Sequence, residues 1–109
     1  MTGLVRVCAV ADVPAGEARR FDAGEREVAI VNLGSEGFRA VDAVCSHAHE
    51  YLTEGEIDVD LGTIECPRHG STFDLETGRP RSLPATVPVA VYPVVVENDD
   101  VLIEVNERG

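Results

Sequence analysis

The sequence predicts an all-β chain, and three observations carry that expectation. Apolar residues make up 44% of the 109, rich in Val, with 5% aromatics and no Trp, a composition that suits a small β-rich core. Strand-like runs, several of them alternating, are punctuated by Gly-, Pro- and Asp-bearing turns. No extended stretch carries a helical period.

Each element follows in order. LVRVCAV (4–10) alternates as a first strand, and ADVPAGEARRF (11–21) reads as a loop leading to a short edge strand. EREVAIVNL (25–33) and FRAVDAV (38–44) flank the turn GSEG, a hairpin signal. From Cys45 to about Gly78 the long apolar runs stop, while Gly55, Gly62, Gly70 and Gly78 mark turns. Within it GTIEC (62–66) and STFDL (71–75) read as short strands. RPRSLPATVP (79–88) is a loop too broken by proline for a central strand. VAVYPVVVE (89–97) and VLIEV (101–105) then pair as a closing hairpin around NDD. The architecture expected is an antiparallel β-sandwich base, with a segment of about 43–78 inserted between its strands. At this length the chain, 1–109, reads as a single domain.

The formal charge is −11, from 20 acidic and 9 basic residues. Neutralising phosphates needs Lys and Arg, so a nucleic-acid partner is excluded, and an anionic membrane surface is disfavoured for the same reason. A basic protein partner is compatible. The longest wholly apolar runs, such as VAIV (28–31) and VVV (94–96), are far below a membrane span. MTGLVRVCAV lacks the pattern of a signal peptide. Three cysteines, an odd number with histidines close to two of them, are not a disulfide framework. The reducing cytoplasm is the expected compartment.

The chemistry lies in two clusters, CSHAH (45–49) and CPRHG (66–70), which hold all three histidines and two of the three cysteines. Chance placement is one reading of them. A structural zinc site is a second, although zinc hairpins usually supply like pairs, two cysteines and then two histidines. A two-iron, two-sulfide cluster explains the mixed pairing, because two thiolates on one iron and two imidazoles on the other require one of each from both loops.

The pattern Cys45-x-His47 followed by Cys66-x-x-His69-Gly70 closely resembles the Rieske proteins. The resemblance runs from about Val41 to Val105 and includes Glu54-Gly55, HGSTFDLETG after the second cluster, and the later LPA loop. It implies the Rieske fold, one [2Fe–2S] cluster, and Cys45, His47, Cys66 and His69 as its ligands in a cluster-binding subdomain of about 43–78. His49 then falls outside the ligand set, as a solvent-facing loop residue. Gly70, Ser71, Phe73 and Pro84 are the expected neighbours of the cluster, with Pro84 in a loop that shields it. Cys8 reads as a buried small apolar residue.

The ligand set bears on the potential. Four thiolates leave an oxidised cluster doubly negative, whereas two thiolates and two neutral imidazoles leave it neutral and easier to reduce, within roughly −150 to +300 mV. The resemblance narrows that window. Respiratory Rieske subunits carry two further cysteines that form a disulfide between the loops, at positions that here are Glu50 and Arg68. They also place Ser and Tyr hydroxyls against the cluster sulfurs, where this chain has Ser71 and Phe73. One donor of two, no disulfide and acidic surroundings predict a potential at the low end, about −150 mV.

A cluster with four ligands on each iron has no open position for substrate, which predicts an electron carrier and not a catalyst. His47 and His69, with Arg68 beside them, are the expected contact points for redox partners. Similarity to the freestanding members of the family implies the ferredoxin component of a ring-hydroxylating dioxygenase system. Such a carrier takes electrons from a flavin-dependent NADH reductase to a terminal oxygenase, as a cytoplasmic monomer. The alternatives are the small Rieske subunit of a nitrite reductase and, from another class, a structural or assembly-associated domain without redox turnover.

Overall fold

Strand β3, Arg26–Asn32, explains the architecture, because Val28, Ala29, Ile30 and Val31 are all fully buried. A strand with both faces covered reads as a continuous apolar run and not as an alternation. Val28 and Ile30 face one core, with Ala40, Tyr92, Cys8, Val101, Ile103 and Val105. Ala29 and Val31 face a second, with Val41, Leu52, Ile64, Phe73, Leu75 and both Cys45 and Cys66. The base and the inserted segment that carries Cys45 and Cys66 are thus packed on opposite sides of one strand.

The computed structural model describes residues 2–46, 50–68, 70–83 and 85–106. Among these, three antiparallel sheets account for all the strands, and the helical elements are short 3₁₀ turns. The first sheet has the order β1 (Thr2–Ala9), β10 (Asp100–Asn106), β9 (Val94–Glu97). The second has the order β2 (Ala18–Ala23), β3, β4 (Phe38–Asp42), β8 (Val91–Tyr92). These two enclose the first core as a sandwich. The third, β5 (Ile57–Asp58), β6 (Thr63–Glu65) and β7 (Thr72–Asp74), is inserted between β4 and β8. No helix among the described residues is long and apolar enough to cross a membrane.

Three elements differ from the sequence expectation. The run 89–97 is not one strand: β8 pairs with β4 and β9 with β10, so the chain changes sheet at Pro93. Proline has no N–H to give a ladder, and the break falls where that donor is missing. Strand β2 is the expected edge of its sheet, but it runs beyond Phe21 to Ala23, with Ala18 to Ala23 all pairing with β3. Strand β5 was not foreseen, because its pairing covers only Ile57 and Asp58 amid acidic residues. The closing hairpin does turn at Asn98 and Asp99, both at positive φ (52° and 66°), as a twist-matched two-residue turn requires.

Candidate metal centre

The same hairpin loop is built twice. Cys45 N–H donates to Glu50 O at 2.9 Å, and Cys66 N–H donates to Ser71 O at 2.7 Å. Immediately outside each closure lies a paired couple, Val44 with Tyr51 and Glu65 with Thr72. Each cysteine therefore opens its loop in the same register. The two thiols are 4% and 1% exposed and belong to one packed apolar group with Leu52, Ile64, Phe73, Leu75 and Ala85. His47, His49, His69 and Pro84 lie outside the described residues. In sequence, positions 47 and 69 fall within the two closures.

Two glycines shape the second loop. Gly70 has φ +75°, and a Cβ there would lie 3.2 Å from Glu65 Oε2. Gly55 matters for space and not for φ, because a Cβ on it would lie 1.6 Å from the Glu65 carbonyl oxygen. Gly55 N–H closes the 3₁₀ turn Leu52–Glu54 by donating to Leu52 O, at 3.0 Å. That turn is thereby laid against the residue preceding Cys66.

A third segment, 79–90, ties the two loops together, and sequence reasoning missed how. Ser46, next to Cys45, donates its hydroxyl to Val87 O. Ala85 N–H donates to the buried Ser71 Oγ at 3.1 Å. Ser82 Oγ accepts from Thr72 N–H at 3.0 Å, and Arg81 N–H donates to Thr72 O at 2.7 Å. The only signal in the sequence was serine placed on each of the three segments, which by itself names no partner. On the first loop's outer side, Arg20 stacks over the Tyr51 ring at 3.9 Å, and the Tyr51 hydroxyl donates to the Glu27 carboxylate at 3.3 Å.

Arg68 is exposed, and its Nη1 lies 3.5 Å from Glu50 Oε1, on the opposite loop. Phe73 is fully buried and has no hydroxyl to give. Ser71 Oγ accepts from Ala85 N–H, and a hydroxyl that accepts can also donate its own proton. Cys8 sits in the other core, beyond β3, and burial, then the nearby Asp12 carboxylate, pushes its thiol up to about 11. It stays neutral and takes no part in the centre.

The donor chemistry fits an iron–sulfur cluster: two buried cysteines open equivalent loops within one apolar group, and the buried Ser71 hydroxyl follows in the second loop's closure. The family model for the Rieske [2Fe-2S] domain matches residues 3–93. The chain belongs to the Rieske [2Fe–2S] family and holds one cluster of that type. Among curated proteins it is 44% identical over 103 residues, 94% of each chain, to the 3-phenylpropionate/cinnamic acid dioxygenase ferredoxin subunit of Escherichia coli K12. The ferredoxin of carbazole 1,9a-dioxygenase from Nocardioides aromaticivorans IC177 superposes with a TM-score of 0.87 at 36% identity, covering 92% of this chain and 95% of that one. A ferredoxin in a complex of reduced oxygenase and oxidised ferredoxin in carbazole 1,9a-dioxygenase gives 0.82 at 37% identity, covering 92% and 91%. These relatives are electron-transfer subunits and not catalysts, and the chain is an electron carrier of their kind.

Proposed function

We propose that Cys45, His47, Cys66 and His69 hold the cluster, in a subdomain of about 43–78 within one domain spanning 1–109. On this reading the protein passes single electrons from a flavin-dependent NADH reductase to a terminal aromatic-ring-hydroxylating oxygenase, as a monomer in the cytoplasm. The observation that carries the ligand reading is the duplicated closure, Cys45 to Glu50 and Cys66 to Ser71, which presents two buried thiols in equivalent settings. The names of the relatives support the oxygenase over a nitrite reductase as the destination.

The bound cluster accepts and releases one electron at a time. The chain's own residues set the conditions for this. Leu52, Ile64, Phe73 and Ala85 exclude water from the thiols, while Ser71 offers a hydroxyl proton. Pro84, in the third segment, adds to that cover. His47 and His69, with Arg68 on the rim, form the contact through which electrons leave.

The test is spectroscopic and then functional. Anaerobically purified protein should be reddish-brown, with a rhombic EPR signal on reduction. Cys45→Ser and Cys66→Ser should each lose the colour, as should His47→Ala and His69→Ala, while His49→Ala keeps it. Colourless, zinc-loaded protein would overturn the ligand reading. Failure of coloured protein to relay electrons from a flavoprotein reductase to an oxygenase would overturn the partner reading alone.

A further inference from the structure

The segment that ties both metal-binding loops together also holds apolar side chains in the open. Leu83 is 77% exposed and Val87 59%. Thr86 and Pro88 beside them are exposed as well. From Ser82 to Val96 the chain carries no charged residue, although 27% of the sequence is charged. An uncharged, apolar stretch of surface on so acidic a chain is the feature to explain.

The stretch is held in place. Ser46 on the first loop grips it at Val87, and Ser71 and Thr72 on the second grip it at Ala85, Ser82 and Arg81. Leu83 and Val87 are therefore presented on a fixed support, and a partner that covers them orders little that is not already ordered. Centres of protein contacts are depleted in charge, while net charge acts over longer range on the rate of encounter. In this chain the segment 82–96 carries no charged side chain, while the acidic residues lie outside it.

We propose that Leu83 and Val87 are the apolar centre of a docking patch for the terminal oxygenase, whose matching face is an apolar recess with a basic rim. The proposal rests on the function argued above and adds to it the residues that make the contact. Continuity with the loops favours a partner that must reach the cluster, since the Val87 carbonyl is bonded to the residue beside Cys45. The oxygenase is favoured over the reductase because a ferredoxin 37% identical to this chain is found in complex with its oxygenase.

The experiment compares Leu83→Asp and Val87→Asp, with Leu83→Ala as a milder change. Leu61→Asp is the control: it is 63% exposed and precedes β6, at the end remote from Cys66. Absorbance, EPR and reduction by dithionite report the intact cluster and should match wild type throughout. Electron transfer to the terminal oxygenase of carbazole 1,9a-dioxygenase from Nocardioides aromaticivorans IC177 is followed by stopped flow. Losing a buried contact centre should raise the half-saturating concentration about tenfold for both patch aspartates, with Leu61→Asp unchanged. Patch aspartates that behave like Leu61→Asp would overturn the docking proposal. So would a defect confined to reduction by the reductase. If wild type with an intact cluster reduces no oxygenase, the functional reading fails, and the patch with it.

Discussion

Glu50 and Arg68 face each other across the two loops, Oε1 to Nη1 at 3.5 Å, where the resemblance to respiratory Rieske subunits implies a disulfide. Both side chains are substantially exposed, so the pair is screened by water and salt and contributes at most about 1 kcal/mol. A covalent tie between the loops is replaced by a weak one. The main fastening is instead the hydrogen bond that Ser46 donates to Val87 O, together with those that Ser71 and Ser82 accept from Ala85 and Thr72 N–H. Glu50→Gln and Arg68→Gln should each lower Tm by no more than about 8 °C at low salt, with the difference fading toward 1 M NaCl. A large loss that salt leaves untouched would show the pair to be a structural tie.

Gly55 has no room for a side chain, because its Cβ would overlap the carbonyl of Glu65. Neither partner can yield cheaply: Gly55 closes the 3₁₀ turn, and Glu65 is held by its N–H donating to Glu56 O at 2.8 Å. Gly55→Ala should therefore cost about 3 kcal/mol or more, the upper part of the usual range for overpacking. It should reduce cluster content on purification, because the displaced residue adjoins Cys66. Thermal melts and iron-to-protein ratios check this, and wild-type values for both would refute it.

The base sandwich was legible in the sequence because its strands alternate or, like VAIV, are apolar throughout, and the cysteine–histidine spacing marked the two loops. What was not legible depends on contacts distant in sequence. Pro93 marks a change of sheet, yet in the one-dimensional pattern VAVYPVVVE runs on without a gap. Strand β5 is too short to show a period, and pairing with β6 is what defines it. The duplicated closure joins Cys45 and Cys66 to backbone carbonyls, which any residue supplies, so Glu50 and Ser71 carry no mark of that role. Likewise Ser46 and Ser82 look like loop polar residues until the third segment is folded against them.

Asp74 gives the stability a pH dependence of known sign. Burial alone would raise its pKa above the ordinary 3.8, but the backbone N–H groups of Glu76 and Thr77 and the Arg81 guanidinium outweigh that and lower it. Carboxylate bound in the charged form stabilises the fold above the unfolded value, and this contribution is lost as pH falls through the lower folded value. Asp74→Asn should be less stable than wild type at pH 7, with the gap closing as the medium is acidified below the ordinary carboxylate range. Melts of both proteins on a pH series test it. A gap that stays constant into strong acid would show that the Asp74 charge does not matter.

Ser71 separates two roles that a single hydroxyl can play. As an acceptor it satisfies Ala85 N–H in a buried setting, so Ser71→Ala leaves that donor unpaired at a cost of about 1–3 kcal/mol. As a donor toward a cluster sulfur it would favour the reduced state, whose extra negative charge it stabilises. The wild-type midpoint at neutral pH should lie near about −150 mV, because Phe73 offers no second hydroxyl and the chain is strongly acidic. Ser71→Ala should then lower both Tm and midpoint, the latter by some tens of millivolts, of the order expected for one lost hydrogen bond of about 1 kcal/mol. Protein-film voltammetry and melting curves on the same samples distinguish the outcomes. A lower Tm with an unmoved midpoint would mean that the hydroxyl serves only Ala85, and a wild-type midpoint above zero would overturn the low-potential reading.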